Sequence, residues 1–176
     1  MIGTSIATAI AGARAYLTEH PDEARYRDSA AAAVIEDGLR VRVTGADGAS
    51  VTTDMVTGIG GGGSAPSPGW LARAAYASCV ATVVAMRAAE EGVRLDSLTV
   101  TVDSESDDRG ILGMDPGIPA GPLGIGVVIE LRATGVAEDR LQAIAEWGWS
   151  HCPVDDLARR AVPVDVRVTV GSPGGV

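Results

Sequence analysis

The stretch from Ser67 to Gly92 limits the folds open to this chain more than any other part of it. Ser67-Pro68 offers a helix N-cap followed by proline at the first helical position, and Gly92 after Glu91 offers a stop. The spacing between them predicts one long helix, with Leu71, Ala75, Cys79, Val83 and Met86 along one stripe and Ala74, Val80, Val84 and Ala88 over much of the remainder. A helix that is apolar around most of its circumference belongs at a centre. Its many alanines allow another backbone to approach closely, as a two-fold dimer contact would. Arg73, Arg87 and the preponderance of alanine make the segment too weakly hydrophobic for a membrane span, so a buried helix is expected.

The flanking sequence reads in shorter units. Thr4 to Thr18 is a candidate N-terminal helix, with Ile6, Ile10, Ala13 and Leu17 near one face, and His20-Pro21 ends it. Between Ala30 and Met55, alternation at Leu39, Val41 and Val43 and turns at Asp37-Gly38 and Asp47-Gly48 predict a three-stranded antiparallel meander. Gly58 to Ser64 follows as a flexible hinge. It lacks the Lys-Ser or Lys-Thr that a phosphate-binding loop needs. After the long helix, Leu95 to Val102 and Leu123 to Ala133 read as strands joined by a polar excursion rich in glycine and proline. Glu138 to Ser150 and Val154 to Arg160 read as helices, and Val162 to Val170 as a last alternating strand. The expected class is α+β, antiparallel sheets around a long central helix in the order βββ-α-ββ-α-β, with an N-terminal helical extension over 1–29 and the domain proper over 30–176.

Composition then narrows the partners. A net charge of −9 over 176 residues opposes nucleic acid and anionic membrane surfaces, so neither is expected to bind. The opening apolar stretch has no leading positive charge, and Arg14 interrupts it, so a cytoplasmic protein rather than a secreted one is expected. Two cysteines are too few for a disulfide scaffold and suit free or cycling thiols in a reducing compartment.

Those cysteines are the candidates for chemistry. Cys79, in mid-helix, is expected to be buried and to need a cationic partner if it is to react as thiolate, with Arg40 and Arg42 on one strand face available. Cys152, between a helix end and Pro153, stands where the chain turns and is expected to be partly exposed, as a resolving thiol would be. Either residue also has the plain reading of a packed small hydrophobe. His151, Cys152 and Asp155 lack the paired spacing of a zinc site, and the acidic run from Asp103 to Asp108 lacks the spacing of a calcium loop, so no metal or other cofactor is expected. Asp107 to Gly113 reads as a surface loop, or as a lid presenting Ile111, Leu112 and Met114.

Ser64-Ala65-Pro66-Ser67-Pro68-Gly69-Trp70-Leu71 and Ala74-Ala75-Tyr76-Ala77-Ser78-Cys79 resemble the central helix motif of the OsmC/Ohr family. Gly92, Leu95 and Val100, His151-Cys152-Pro153-Val154 and Val162-Pro163-Val164 continue that resemblance, which extends over roughly Ala30 to Val170. It implies an intertwined homodimer with sites at the subunit interface, and a peroxidase that reduces organic hydroperoxides. Cys79 would be the peroxidatic cysteine, Cys152 the resolving one, and an external dithiol, lipoyl or similar, would restore both. Active members place a glutamate after the helix-opening proline to hold an arginine of the N-terminal strands. Gly69 and Trp70 stand there instead. Arg40 is the choice for that arginine, with Arg42 or Arg27 as alternatives. The rival expectation is a small-molecule-binding protein of the same fold that lacks peroxidase activity.

Overall fold

The computed structural model describes residues 5–171. Its axis is a helix running Pro68–Glu90, which follows an N-terminal helix and three strands. The N-terminal helix, α1 (Ile6–Glu19), starts at Ser5, whose Oγ accepts the Thr8 N–H at 3.2 Å, and ends at His20 before Pro21. Thr4, its first residue in the sequence reading, lies outside the described residues, as do positions 172–176 of the expected domain. Strands β1 (Ala32–Asp37), β2 (Arg40–Thr44) and β3 (Ser50–Thr53) form the predicted antiparallel meander. Gly38 (φ 53°) and Gly48 (φ 77°) take the left-handed conformation at its two turns, where a side chain would be strained.

The central helix, α2 (Pro68–Glu90), is capped by Ser67, whose Oγ accepts the Trp70 N–H at 3.2 Å. Its deeply buried stripe is Tyr76, Val80, Val84 and Ala88, whereas Met86 of the expected stripe is exposed. The difference comes from Tyr76, whose hydroxyl finds a buried partner and which a purely apolar pattern leaves out. Behind α2 stands a second sheet of β4 (Ser97–Glu105) and β5 (Gly124–Arg132), paired from Ser97↔Arg132 to Glu105↔Gly124. Alternate residues Leu98, Val100 and Val102, with Val127, Ile129 and Leu131, pack against the core. Between these strands lies a single helical turn, α3 (Asp108–Ile111). The chain then forms α4 (Glu138–Ser150), which packs along α2, and α5 (Pro153–Arg159), which packs near it. By length and composition α2 could cross a membrane, contrary to the sequence reading, but Val80 and Val84 are fully buried in the core cluster with Ile144. One face of α2 therefore packs as a core helix does.

Among the apolar side chains that stand in the open, those of β1 and of positions 162–170 lie on extended backbone. Val34 and Ile35 are neighbours on opposite faces of β1, and they are 58% and 68% exposed, so neither face of that sheet is covered at this point. The expected last strand is absent among the described residues: positions 162–170 find no strand partner, and Val164, Val166, Val168 and Val170 point into solvent. Alternation makes a strand only where a second edge is reached, and within this one chain the segment reaches none.

Candidate active site

The depths of the two cysteines are the reverse of the expectation. Cys79, on α2, is half-buried, while Cys152 is 1% exposed and caps α5, its N–H bonded to the Trp149 carbonyl at 3.1 Å. Pro153 turns the chain at Cys152 as predicted, but inward against α2, so the break in the chain is not an opening. Both thiols are free, and the Cys79 side chain packs against the core cluster that contains Cys152. Burial pushes the Cys152 thiol above its ordinary pKa. The adjacent Cys79 thiol adds to that, while backbone N–H groups of Asp155 and Val154 oppose it.

Three residues beyond Cys152, Asp155 is buried at 6% exposure and draws three helices together. Its carboxylate accepts the Tyr76 hydroxyl from α2, the Trp149 indole N–H from α4 at 3.0 Å, and the Arg159 Nε of its own helix at 2.8 and 3.0 Å. Arg159 also lies 4.7 Å from the centre of the Trp149 ring. Burial pushes Asp155 up, but the bonds from Tyr76, Arg159 and Trp149 outweigh it and hold the carboxyl below its usual value. Tyr76 is displaced upward, first by burial and then by its bond to that carboxylate. Sequence reasoning weighed Asp155 only as a metal ligand and missed Tyr76; the one available signal was an acidic residue in the first turn of a helix.

Arg40 is not drawn to the thiols by any hydrogen bond or ion pair among the described residues. Its Nη1 donates to Ser64 Oγ at 2.6 Å and its Nε to Glu36 at 3.3 Å. Arg42 shares Glu36, at 2.7 Å, and Arg27 is exposed ahead of β1. Ser64 in turn donates through both backbone and side chain to Asp54, which is 2% exposed and also receives the N–H groups of Met55 and Gly62. The glycine-rich segment read as a flexible hinge is therefore fastened around a buried carboxylate. Glycine is needed there for space, since a Cβ on Gly61 would fall 2.0 Å from the Met55 carbonyl oxygen.

A cleft of about 430 Å³ opens between α2, α3 and α5. Ala72, Ile111, Pro122, Ile125, Val154 and Leu157 give it a largely apolar wall. Neither thiol lines this cleft; the wall residues nearest to them along the chain are Tyr76, three before Cys79, and Val154, two after Cys152. Ile111 reaches it from α3, within the segment read as loop or lid, whereas Leu112 and Met114 are exposed. Asp107 anchors that turn by accepting the backbone N–H and the guanidinium of Arg109.

Residues 61–167 match the sequence profile of the OsmC-like protein family, more than half of the chain. Among solved structures, an organic hydroperoxide resistance protein OsmC from Legionella pneumophila is 21% identical with a TM-score of 0.56, covering 77% of this chain and 91% of its own. An OsmC like protein from Mycoplasma pneumoniae is 13% identical, with a TM-score of 0.64 over 78% of this chain and 91% of its own. An OsmC-like protein of unknown function from Vibrio cholerae is 10% identical, with a TM-score of 0.63 over 76% and 95%. No curated protein matches the chain by sequence.

Proposed function

The chain belongs to the OsmC-like protein family, and from that premise we propose that it is a thiol-dependent peroxidase of organic hydroperoxides, with Cys79 peroxidatic and Cys152 resolving. The observation that carries this reading is the packing of two free thiols into one core cluster, near a largely apolar cleft. The half-exposed Cys79 is the thiol that an entering peroxide meets first. Its thiolate attacks the outer peroxide oxygen, the O–O bond breaks, and the leaving alkoxide takes a proton to become an alcohol. Cys79 is then a sulfenic acid. The Cys152 sulfur displaces its hydroxyl as water, a disulfide forms, and an external dithiol, lipoyl or similar, reduces the disulfide to two thiols. The thiols supply all the redox chemistry, so the cycle calls for no cofactor.

The working form in this reading is an intertwined homodimer over 30–176, with 1–29 as an extension, in the reducing cytoplasm. The exposed residues on β1 and the unpaired valines of 164–170 support it, being the surfaces a second copy would cover. Arg40 is the proposed cation for the Cys79 thiolate, carried by that sheet to the other copy. A second reading, a binder of small apolar molecules without peroxidase activity, is favoured by Gly69 and Trp70 in place of the family's glutamate and by the capture of Arg40 by Glu36 and Ser64.

Turnover of tert-butyl hydroperoxide and hydrogen peroxide with dithiothreitol or dihydrolipoamide separates the two. The peroxidase reading expects preference for the organic peroxide, loss of turnover in Cys79→Ser, and a marked drop in Arg40→Met. Absence of turnover and of any disulfide in peroxide-treated wild type would leave the binder.

A further inference from the structure

The roles just proposed for the thiols leave unexplained what holds them together. Cys79 stands in mid-α2 and Cys152 at the tip of a seven-residue helix that is followed by an unpaired segment. A helix so short has little stability of its own, and its position depends on what it grips. Its buried grip is Asp155, the third helical residue after Cys152, whose carboxylate is bonded to Tyr76, three residues before Cys79 on α2. Trp149 fixes the same carboxylate from α4, the helix that leads into Cys152. Each thiol is thus about one helical turn from one buried hydrogen-bond junction.

We propose that Asp155 is a positioning residue for disulfide closure, which keeps Cys152 seated against Cys79 by tying the start of α5 to Tyr76 and Trp149. The inference rests on the resolving role assigned to Cys152. The closing step forms the S–S bond, breaks the S–O bond of the Cys79 sulfenic acid and releases water that carries away the Cys152 proton. The Asp155 carboxylate touches none of these atoms; it fixes the distance from which the Cys152 sulfur starts. Substitution by asparagine keeps the shape but loses the charge, so Arg159 loses its ion pair and the bond from Tyr76 weakens.

Two measurements test it. The first equilibrates the reduced protein with a glutathione redox buffer and reads the fraction of Cys79–Cys152 disulfide, which needs no peroxide and so reports on seating whether or not the protein is a peroxidase. Asp155→Asn and Tyr76→Phe are each expected to lower the equilibrium constant for closure by roughly tenfold, the size that loss of one charge-assisted bond carries into an equilibrium. The second mixes the reduced protein with tert-butyl hydroperoxide and follows trapped sulfenic acid at Cys79 and disulfide separately. In Asp155→Asn closure should slow by a similar factor, with sulfenic and then sulfinic acid accumulating at Cys79. Unchanged closure in both measurements would overturn the proposal, as would loss of the native fold in both variants, which would make the junction a fold anchor and nothing more. Absence of sulfenic acid in the wild type, with closure in glutathione still sensitive to Asp155, would overturn the peroxidase reading and leave the seating role standing.

Discussion

Gly148 of α4 lies so close to Val84 of α2 that a Cβ built on it would fall 2.5 Å from the valine Cγ2, 2.7 Å from its Cα and 2.8 Å from its backbone nitrogen. Two of those atoms are backbone, so no rotamer change relieves the clash. Gly148→Ala should therefore destabilise the fold by about 2 kcal/mol or more, overpacking outweighing the roughly 1 kcal/mol that alanine gains in helix propensity. Urea unfolding measures this directly, and a variant as stable as the wild type would mean that the helices are farther apart than described.

Asp54 predicts an acid transition in the glycine-rich loop. The Ser64 N–H and hydroxyl, then the N–H groups of Met55 and Gly62, overcome burial and hold its carboxyl at about 2, below the ordinary value near 3.8. The folded-state pKa is depressed, so the stability this group contributes is fully present above about pH 4 and is lost as the pH falls toward 2. Amide hydrogen exchange at Gly62 and Ser64 should accelerate across that window. In Asp54→Asn the acceleration should already be present at neutral pH, and flat exchange rates in both proteins would contradict the fastening.

The unequal depth of the two thiols predicts an order of labelling. Cys152 is buried and its thiol is pushed above the usual range, so iodoacetamide at pH 7 should modify Cys79 well before Cys152. Denaturation should remove the difference. Peptide mass mapping after a short exposure reads the order, and faster labelling of Cys152 in folded protein would place the wrong thiol on the inside.

The open valines predict self-association. Sedimentation should report twice the chain mass for the wild type, and Val166→Asp with Val168→Asp should weaken the association by about tenfold or more, because a carboxylate in a covered strand pairing loses its water. A wild-type chain that sediments as a monomer at micromolar concentration would remove the dimer from the proposed mechanism.

What the sequence revealed and what it concealed divide along physical lines. The cap at Ser67, the stop at Gly92 and the turns at Gly38 and Gly48 are local features, and the elements they bound formed where periodicity placed them. The Val162 to Val170 alternation was equally clear, yet a strand is a relation between two segments, and one chain offers no second. The depth of Cys152 escapes a local reading because it depends on how α5 turns, which Tyr76 and Asp155 decide across 79 positions of sequence. The bond from Arg40 to Ser64, 24 residues away, belongs to a polar chain ending at Asp54 that no spacing rule encodes. The cysteines themselves were legible because their surroundings, a helix rich in small residues and a Cys-Pro corner, are rare enough to draw notice.

The bare faces of β1 and the unpaired run of valines bear on how the molecule is made as well as on what it does. A newly synthesised chain can complete α2, α4 and the β4–β5 sheet by itself, since those elements bury one another. If the proposed dimer forms, covering β1 and pairing the last valines waits for an encounter, and the last stage of maturation is then a bimolecular event whose pace follows abundance. At low copy number a chain would linger with open backbone edges, the state most readily cut by proteases or captured by the wrong strand. Such a dimer would link expression level and time to maturity through the geometry of a single stretch of alternating valines.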